Sequence, residues 1–259
     1  MDNLHHIENF LFDIDGTLCL GHRLFEGVEE LFEILEKKGK KFILLTNNSS
    51  KDKRLYQTKW KDFGIDMPLE KILTSGEATV DYMKTQPEIK NVFVLGTESF
   101  KNEIEQGGFV VTSENPDAII MGYDTTINYE KLCTACLNLR RGIPYIASHP
   151  DVNVPSEIGP LPDCGSFIEL IFTSTGRRPK IIGKPNKEMA TAALNRINGK
   201  PENTVIVGDR LATDIELGFQ ANLSTILVLT GVTTKDDLEM ISQKPDFILD
   251  NIKGIPSLL

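Results

Sequence analysis

Three short apolar runs in this chain stop at a polar residue: Asn9 to Phe12 before Asp13, Lys41 to Leu45 before Thr46, and Thr204 to Val207 before Gly208 and Asp209. Apolar runs this short, bounded by polar or glycine-rich turns, read as buried strands. Amphipathic stretches separate them. Phe25, Val28, Leu31, Phe32 and Leu35 recur at helical spacing, with Gly39 where a helix would stop, and Leu211, Ile215 and Phe219 repeat the pattern later. Thr225 to Leu229 and Phe247 to Leu249 read as further strands. Strand and helix in alternation specify an α/β fold, a parallel sheet covered by helices on both faces. The carboxyl ends of such strands form the ligand crevice, so Asp13, Thr46 and Asp209 are placed to converge although they lie far apart in sequence.

Between about Asp81 and Arg178 a second α/β rhythm runs, with strands expected at Asn91 to Leu95, Ala118 to Met121 and Tyr145 to Ala147 and helices at Tyr129 to Leu139 and Ser166 to Phe172. The first rhythm is read to resume at Lys180 to Gly183. Residues 1–80 and 179–259 are therefore expected to form one core domain, and residues 81–178 a smaller inserted α/β domain. A chain of 259 residues suffices for both.

The formal charge of -9 leaves no net basic footprint for a phosphate backbone, so no nucleic-acid partner is expected. No basic segment followed by an apolar one opens the chain, and no apolar run approaches membrane-spanning length. The expected setting is the cytoplasm, with no membrane partner. Cys19, Cys133, Cys136 and Cys164 are expected to be reduced thiols. Cys133-x-x-Cys136 lies inside an apolar helical pattern with Leu132 and Leu139, and no second pair stands at zinc-site spacing, so both read as buried thiols. Cys164 sits in a glycine-containing stretch where it either faces a pocket or is an inert loop residue; His149 likewise either touches a ligand or is a plain loop histidine.

The chemistry is concentrated in four places. Asp13-Ile14-Asp15-Gly16-Thr17-Leu18 puts two carboxylates on the same side of an extended chain, and Gly16 permits a turn whose amides can approach a phosphate. One carboxylate can attack phosphorus while its neighbour gives a proton to the leaving oxygen and later takes one from water. Asp209, in Gly208-Asp209-Arg210-Leu211-Ala212-Thr213-Asp214, can share a Mg²⁺ ion with Asp13 and the main-chain carbonyl of Asp15, since Mg²⁺ takes a few carboxylates, waters and substrate oxygens. Asp214, near a helix start, can cap the helix or hold a metal-bound water. Thr46-Asn47-Asn48 and Lys184, in Ile181-Ile182-Gly183-Lys184-Pro185, supply hydroxyl, amide and ammonium donors for a phosphate dianion. Pro185 is read as the first turn of a helix running through Lys187, Met189 and Leu194.

These four elements, in this order, resemble the four motifs of the haloacid dehalogenase superfamily. The resemblance implies a Rossmann-like core, with Asp13 as nucleophile, Asp15 as general acid/base, Thr46 and Lys184 on phosphate and Asp209 on Mg²⁺. The place of the insert, together with Glu26-Gly27-Val28, Asn47-Asn48-Ser49, Gly122-Tyr123-Asp124 and Thr175 to Pro185, resembles the NagD-like, p-nitrophenylphosphatase branch. That likeness implies an α/β cap, a small phosphate monoester as substrate and a homodimer paired through the cap. Where relatives usually carry Asn-Pro-Asp and Pro-Gly-x-Gly, this chain has His149-Pro150-Asp151 and Pro162-Asp163-Cys164-Gly165, in a region that shapes the leaving-group pocket in the family.

Two other functions fit the same residues. A phosphotransferase or mutase would resolve the phosphoaspartate with a substrate hydroxyl, although such relatives carry a helical cap between the first two motifs and Gly21 to Lys41 leaves room for one helix only. A binding module would hold the phosphate without turnover. Gly183-Lys184 does not make a nucleotide loop, because Arg178 stands where its first glycine should be and Pro185 where Ser or Thr should be.

Overall fold

The computed structural model of the chain describes residues 3–154 and 158–259. They form two compact units: Met1–Thr46, Lys53–Leu73 and Lys184–Leu259 make one, and Asn47–Asp52 with Thr74–Gly183 the other.

The first unit is built on a six-stranded sheet in the spatial order Phe247–Leu249, Ser224–Val228, Thr204–Gly208, Asn9–Asp13, Lys41–Thr46, Ile72–Thr74. Asn9–Asp13 is central and runs parallel to both neighbours, with Phe12 level with Val207 on one side and Leu44 on the other. The strands end together, so Asp13, Thr46 and Asp209 lie along one edge of the sheet. Alternate residues explain why the runs are apolar throughout. Phe10, Phe12, Phe42, Leu44, Val205 and Val207 join one large core cluster, while Leu11, Ile43 and Ile206, pointing to the opposite face, are equally buried. A sheet buried on both faces leaves no position for a solvated side chain.

The helices Val28–Lys37 and Lys53–Asp62 contribute Phe32, Tyr56 and Trp60 to that core. The Phe32 ring stacks on Phe42 with centroids 4.5 Å apart and lies 5.9 Å from Trp60. Gly39, at φ +67°, follows the first of these helices as the periodicity predicts. The helix Lys187–Ile197 begins after Asn186, so Pro185 stands before it rather than in its first turn.

The second unit has its own five-stranded parallel sheet, ordered Lys180–Ile181, Tyr145–Ala147, Ala118–Met121, Asn91–Leu95, Val110–Val111. Tyr129–Arg140 and Cys164–Thr175 are its principal helices over a core that includes Leu95, Met121, Leu139, Tyr145 and Ile168. Both helices extend slightly beyond the stretches expected from periodicity.

The unit boundaries differ from residues 80/81 and 178/179. Lys180 to Gly183 does not resume the first sheet: Lys180 and Ile181 pair with Ile146 and Ala147, and the Gly183 N–H donates to the Ser148 carbonyl at 2.7 Å. Periodicity locates a strand but not the sheet it bonds to. The helix Ser75–Lys84 also belongs to the second unit, as does Asn47–Asp52, where the Ser49 and Ser148 hydroxyls lie 2.9 Å apart and Thr97 donates to the Ser50 carbonyl. Among the described residues no helix is long and apolar enough to cross a membrane.

Phe32→Ala would remove a stacked ring beside the chain's only tryptophan. We expect a loss of about 3–5 kcal/mol, read from urea unfolding followed by Trp60 fluorescence; a loss below about 1 kcal/mol would show that this cluster does not carry the core.

Candidate active site

At the carboxyl edge of the first unit's sheet three carboxylates meet. One oxygen from each of Asp13, Asp209 and Asp214 lies within 4.8 Å of the others, and all three residues are buried. Each reaches that place by a different local device. Asp13 is the last residue of its strand. Asp209 follows Gly208, and Asp214 sits in the π-helical turn Leu211–Ile215, where the Ile215 N–H reaches back to the Arg210 carbonyl at 3.2 Å, before the helix Glu216–Ala221. Asp214 is therefore not a cap of that helix. Its Oδ2 accepts the Arg210 N–H at 3.1 Å, and a Cβ on Gly208 would fall on its side chain.

The Lys184 ammonium, itself buried, donates to Asp13 Oδ1 and, at 2.7 Å, to Asp214 Oδ1. Thr17 donates to Asp13 Oδ2 at 3.2 Å and reaches Asp209 Oδ1 at 3.5 Å. Asp209 Oδ2 accepts the Val232 N–H at 2.7 Å. Gly16, at φ +102°, packs so tightly that a Cβ would stand 2.5 Å from Asp209 Oδ2. Its N–H donates to the Cys19 carbonyl at 2.8 Å, so this amide closes the turn. Its missing side chain makes room for Asp209.

Three carboxylates and one ammonium leave the cluster short of positive charge. Burial, reinforced by Asp214 and Asp209 and opposed by Lys184, holds the Asp13 carboxyl well above its ordinary range. Burial and then Asp214 raise Asp209 to about 6. Burial works against the Lys184 ammonium, but Asp13 and Asp214 outweigh it and keep its proton tightly bound. A site of this composition, all oxygen donors with excess negative charge, suits a hard divalent cation.

Asp15 stands apart from the cluster. Its side chain is 47% exposed and bonds to the Lys59 ammonium at 2.8 Å. Thr46 ends the strand beside Asp13, its hydroxyl 3.3 Å from that of Tyr56. Asn47 and Asn48 belong to the second unit. The Asn47 amide donates to both carboxylate oxygens of Asp151 at 3.2 Å, and Asn48 Oδ1 accepts from the N–H and hydroxyl of Ser50, bracing its own loop. The second unit also holds His149 fully buried, with its ring nitrogens 3.6 Å from Asp151 and Asp163. Cys164 is not in a loop. It begins a helix capped by Asp163 and is buried in that unit's core, where burial raises its thiol far above the usual range.

Residues 10–110 match the family model described as haloacid dehalogenase-like hydrolase, and residues 181–255 match a second, HAD-hydrolase-like model. Over 249 residues the chain is 35% identical to the ribonucleotide monophosphatase NagD of Escherichia coli, covering 96% of this chain and 98% of that one. The chain belongs to the haloacid dehalogenase superfamily, in its NagD-like branch. Other members include the dihydroxyacetone phosphatase of Corynebacterium glutamicum, 34% identical over 95% of this chain and 90% of its own. The crystal structure of a 4-nitrophenylphosphatase from Thermotoga maritima superposes with a TM-score of 0.95 at 43% identity over 98% of both chains.

The motifs of this superfamily member mark the acidic residues of the cluster but not Thr17, Tyr56 or Lys59. Thr17 carried a signal, since it lies inside the Asp13 motif one helical turn from the aspartate. Tyr56 and Lys59 sit in an ordinary amphipathic helix and carried none.

The raised Asp209 value sets a pH dependence for the metal-free protein. The folded state keeps this proton up to about pH 6, whereas the unfolded chain releases it near about pH 4. Stability held by that proton is therefore lost as pH rises through this window. In EDTA the thermal midpoint should rise between pH 7 and pH 5 more steeply for the wild type than for Asp209→Asn. Equal slopes would contradict the assigned shift.

Proposed function

We propose that this chain is a Mg²⁺-dependent phosphatase that hydrolyses small phosphate monoesters through a phosphoaspartate on Asp13. The observation that carries the reading is the pairing of Asp13 with Lys184 inside a buried group of carboxylates at the end of a central strand. The identity with phosphatases along nearly the whole chain supports the same chemistry. Asp13 and Asp209 would hold Mg²⁺ together with the Asp15 carbonyl, with Asp214 on a metal-bound water. Bound there, Mg²⁺ neutralises charge on the phosphate and on Asp13.

In the first step an Asp13 carboxylate oxygen attacks phosphorus, the ester P–O bond breaks, and the Asp15 carboxyl gives its proton to the leaving oxygen. In the second, the Asp15 carboxylate takes a proton from the water that attacks phosphorus, and inorganic phosphate leaves Asp13. Lys184, Thr46 and donors of the Asn47-Asn48 segment hold the equatorial oxygens. The Thr46 hydroxyl is oriented by Tyr56, whose phenol burial holds in its protonated form. That relatives of this chain are a dihydroxyacetone phosphatase, a ribonucleotide monophosphatase and a 4-nitrophenylphosphatase supports a small phosphomonoester as substrate. The second unit acts as the cap that selects the leaving group. The same reading expects a cytoplasmic enzyme and a homodimer paired through its caps; sedimentation of the purified chain tests whether it is a dimer.

Phosphate release from p-nitrophenyl phosphate should require Mg²⁺ and stop in EDTA. Asp13→Asn should lower kcat by at least about 10³-fold while leaving affinity for phosphate nearly unchanged. Substantial residual turnover in that variant would remove Asp13 as the nucleophile. Asp15→Asn should slow esters with poor leaving groups more than activated aryl esters, and the opposite order would remove Asp15 as the acid.

A further inference from the structure

The Asp15 carboxylate is half exposed at the end of a two-bond side chain, a poor starting point for a group that must meet a leaving oxygen at hydrogen-bond distance. Among the described residues its polar contacts are the Lys59 ammonium at 2.8 Å and the Cys19 thiol at 3.7 Å. A thiol is a weak donor, so the ammonium sets where the carboxylate points.

Lys59 is itself held. It lies on the helix Lys53–Asp62, which Tyr56 and Trp60, one turn apart, anchor in the core of the first unit. Its own side chain is only 21% exposed, so its stem is packed and its head emerges beside Asp15. Three residues earlier, Tyr56 reaches the Thr46 hydroxyl. One turn of one helix thus braces side chains at two adjacent strand ends. An exposed ion pair is ordinarily weak and loosely oriented; here one partner is fixed by the core.

We infer that Lys59 is a positioning residue for the reaction: its ammonium fixes the orientation of Asp15, as an ion pair when Asp15 is the carboxylate base and as a donor to the carbonyl oxygen when Asp15 is the protonated acid, so that proton transfer to the leaving oxygen does not wait on a side-chain search. The inference rests on the reading of Asp15 as general acid/base. Lys59 touches neither the reacting phosphate nor the leaving group in this account. Its loss is therefore felt only where Asp15 is needed, in proportion to how poor the leaving group is.

The test compares kcat/KM for a series of aryl phosphates from p-nitrophenyl to unsubstituted phenyl, in Mg²⁺, for the wild type, Lys59→Met, Lys59→Gln, Lys59→Arg, Asp15→Asn and the Lys59→Met/Asp15→Asn pair. Circular dichroism confirms folding, and the glutamine variant replaces the methionine one if the latter does not fold. The expected result is a steeper dependence on leaving group in Lys59→Met, with phenyl phosphate losing about tenfold or more beyond p-nitrophenyl phosphate. Lys59→Arg, which keeps a cation within reach, restores most of it. In the Asp15→Asn background the lysine substitution adds no further selectivity.

A uniform loss across the series would overturn the inference and make Lys59 a binding or structural residue. An equally selective loss in the Asp15→Asn background would also overturn it, because Lys59 would then act without Asp15. If Asp15→Asn itself shows no selectivity, the acid/base reading fails and the inference with it. If Asp15→Asn is selective and Lys59→Met is not, only the positioning role fails.

Discussion

A carboxylate that must attack phosphorus has to be ionised, yet Asp13 is buried beside two other carboxylates that oppose its ionisation. The Lys184 ammonium is the one cation that the described residues place in hydrogen bonds to that cluster, donating to Asp13 and Asp214 at once. Much of the local structure serves this arrangement. Gly16, Gly208 and Gly231 are positions where a side chain would collide with Asp209 or Asp214. Thr17 and the Val232 N–H occupy lone pairs of the same carboxylates. Lys184 is also the first residue of the chain after the second unit ends at Gly183.

The parallel sheet makes the convergence possible. Asn9–Asp13 lies between Thr204–Gly208 and Lys41–Thr46, so residues from the two ends of the sequence meet at adjoining strand ends without long loops. Aromatic packing of Phe12, Phe32, Phe42 and Trp60 on one face of that sheet fixes the strands beneath the site and anchors the helix that carries Tyr56 and Lys59. Site geometry and core packing are here joined by single elements.

How much of this was legible in the sequence depended on the range of the interaction. Apolar runs ending at Asp13, Thr46 and Asp209 declared the strands and the edge where chemistry would gather, because burial on both faces and a polar stop are local signals. Lys180 and Ile181 read as a strand, but their partnership with Tyr145–Ala147 rather than with the first sheet depends on hydrogen bonds across more than thirty intervening residues. Cys164 looked like a loop residue since glycine follows it, whereas Asp163 caps a helix there. Asn47 and Asn48 follow a strand and so read as phosphate donors, while their contacts to Asp151 and Ser50 form only on folding and leave no local pattern. The Lys59–Asp15 pair leaves no pattern in a sequence at all, because it joins an unremarkable helix surface to a turn by a contact made only after folding.

The most direct test of a phosphoaspartate on Asp13 is to trap it. The enzyme is mixed with a phosphomonoester and Mg²⁺, quenched in acid within a turnover, and treated with borohydride, which reduces an acyl phosphate to an alcohol; peptide mass spectrometry then locates the change. Reduction is expected at Asp13, dependent on substrate and absent from Asp13→Asn. Steady turnover with Asp13 unreduced, or reduction at a different carboxylate, would contradict it.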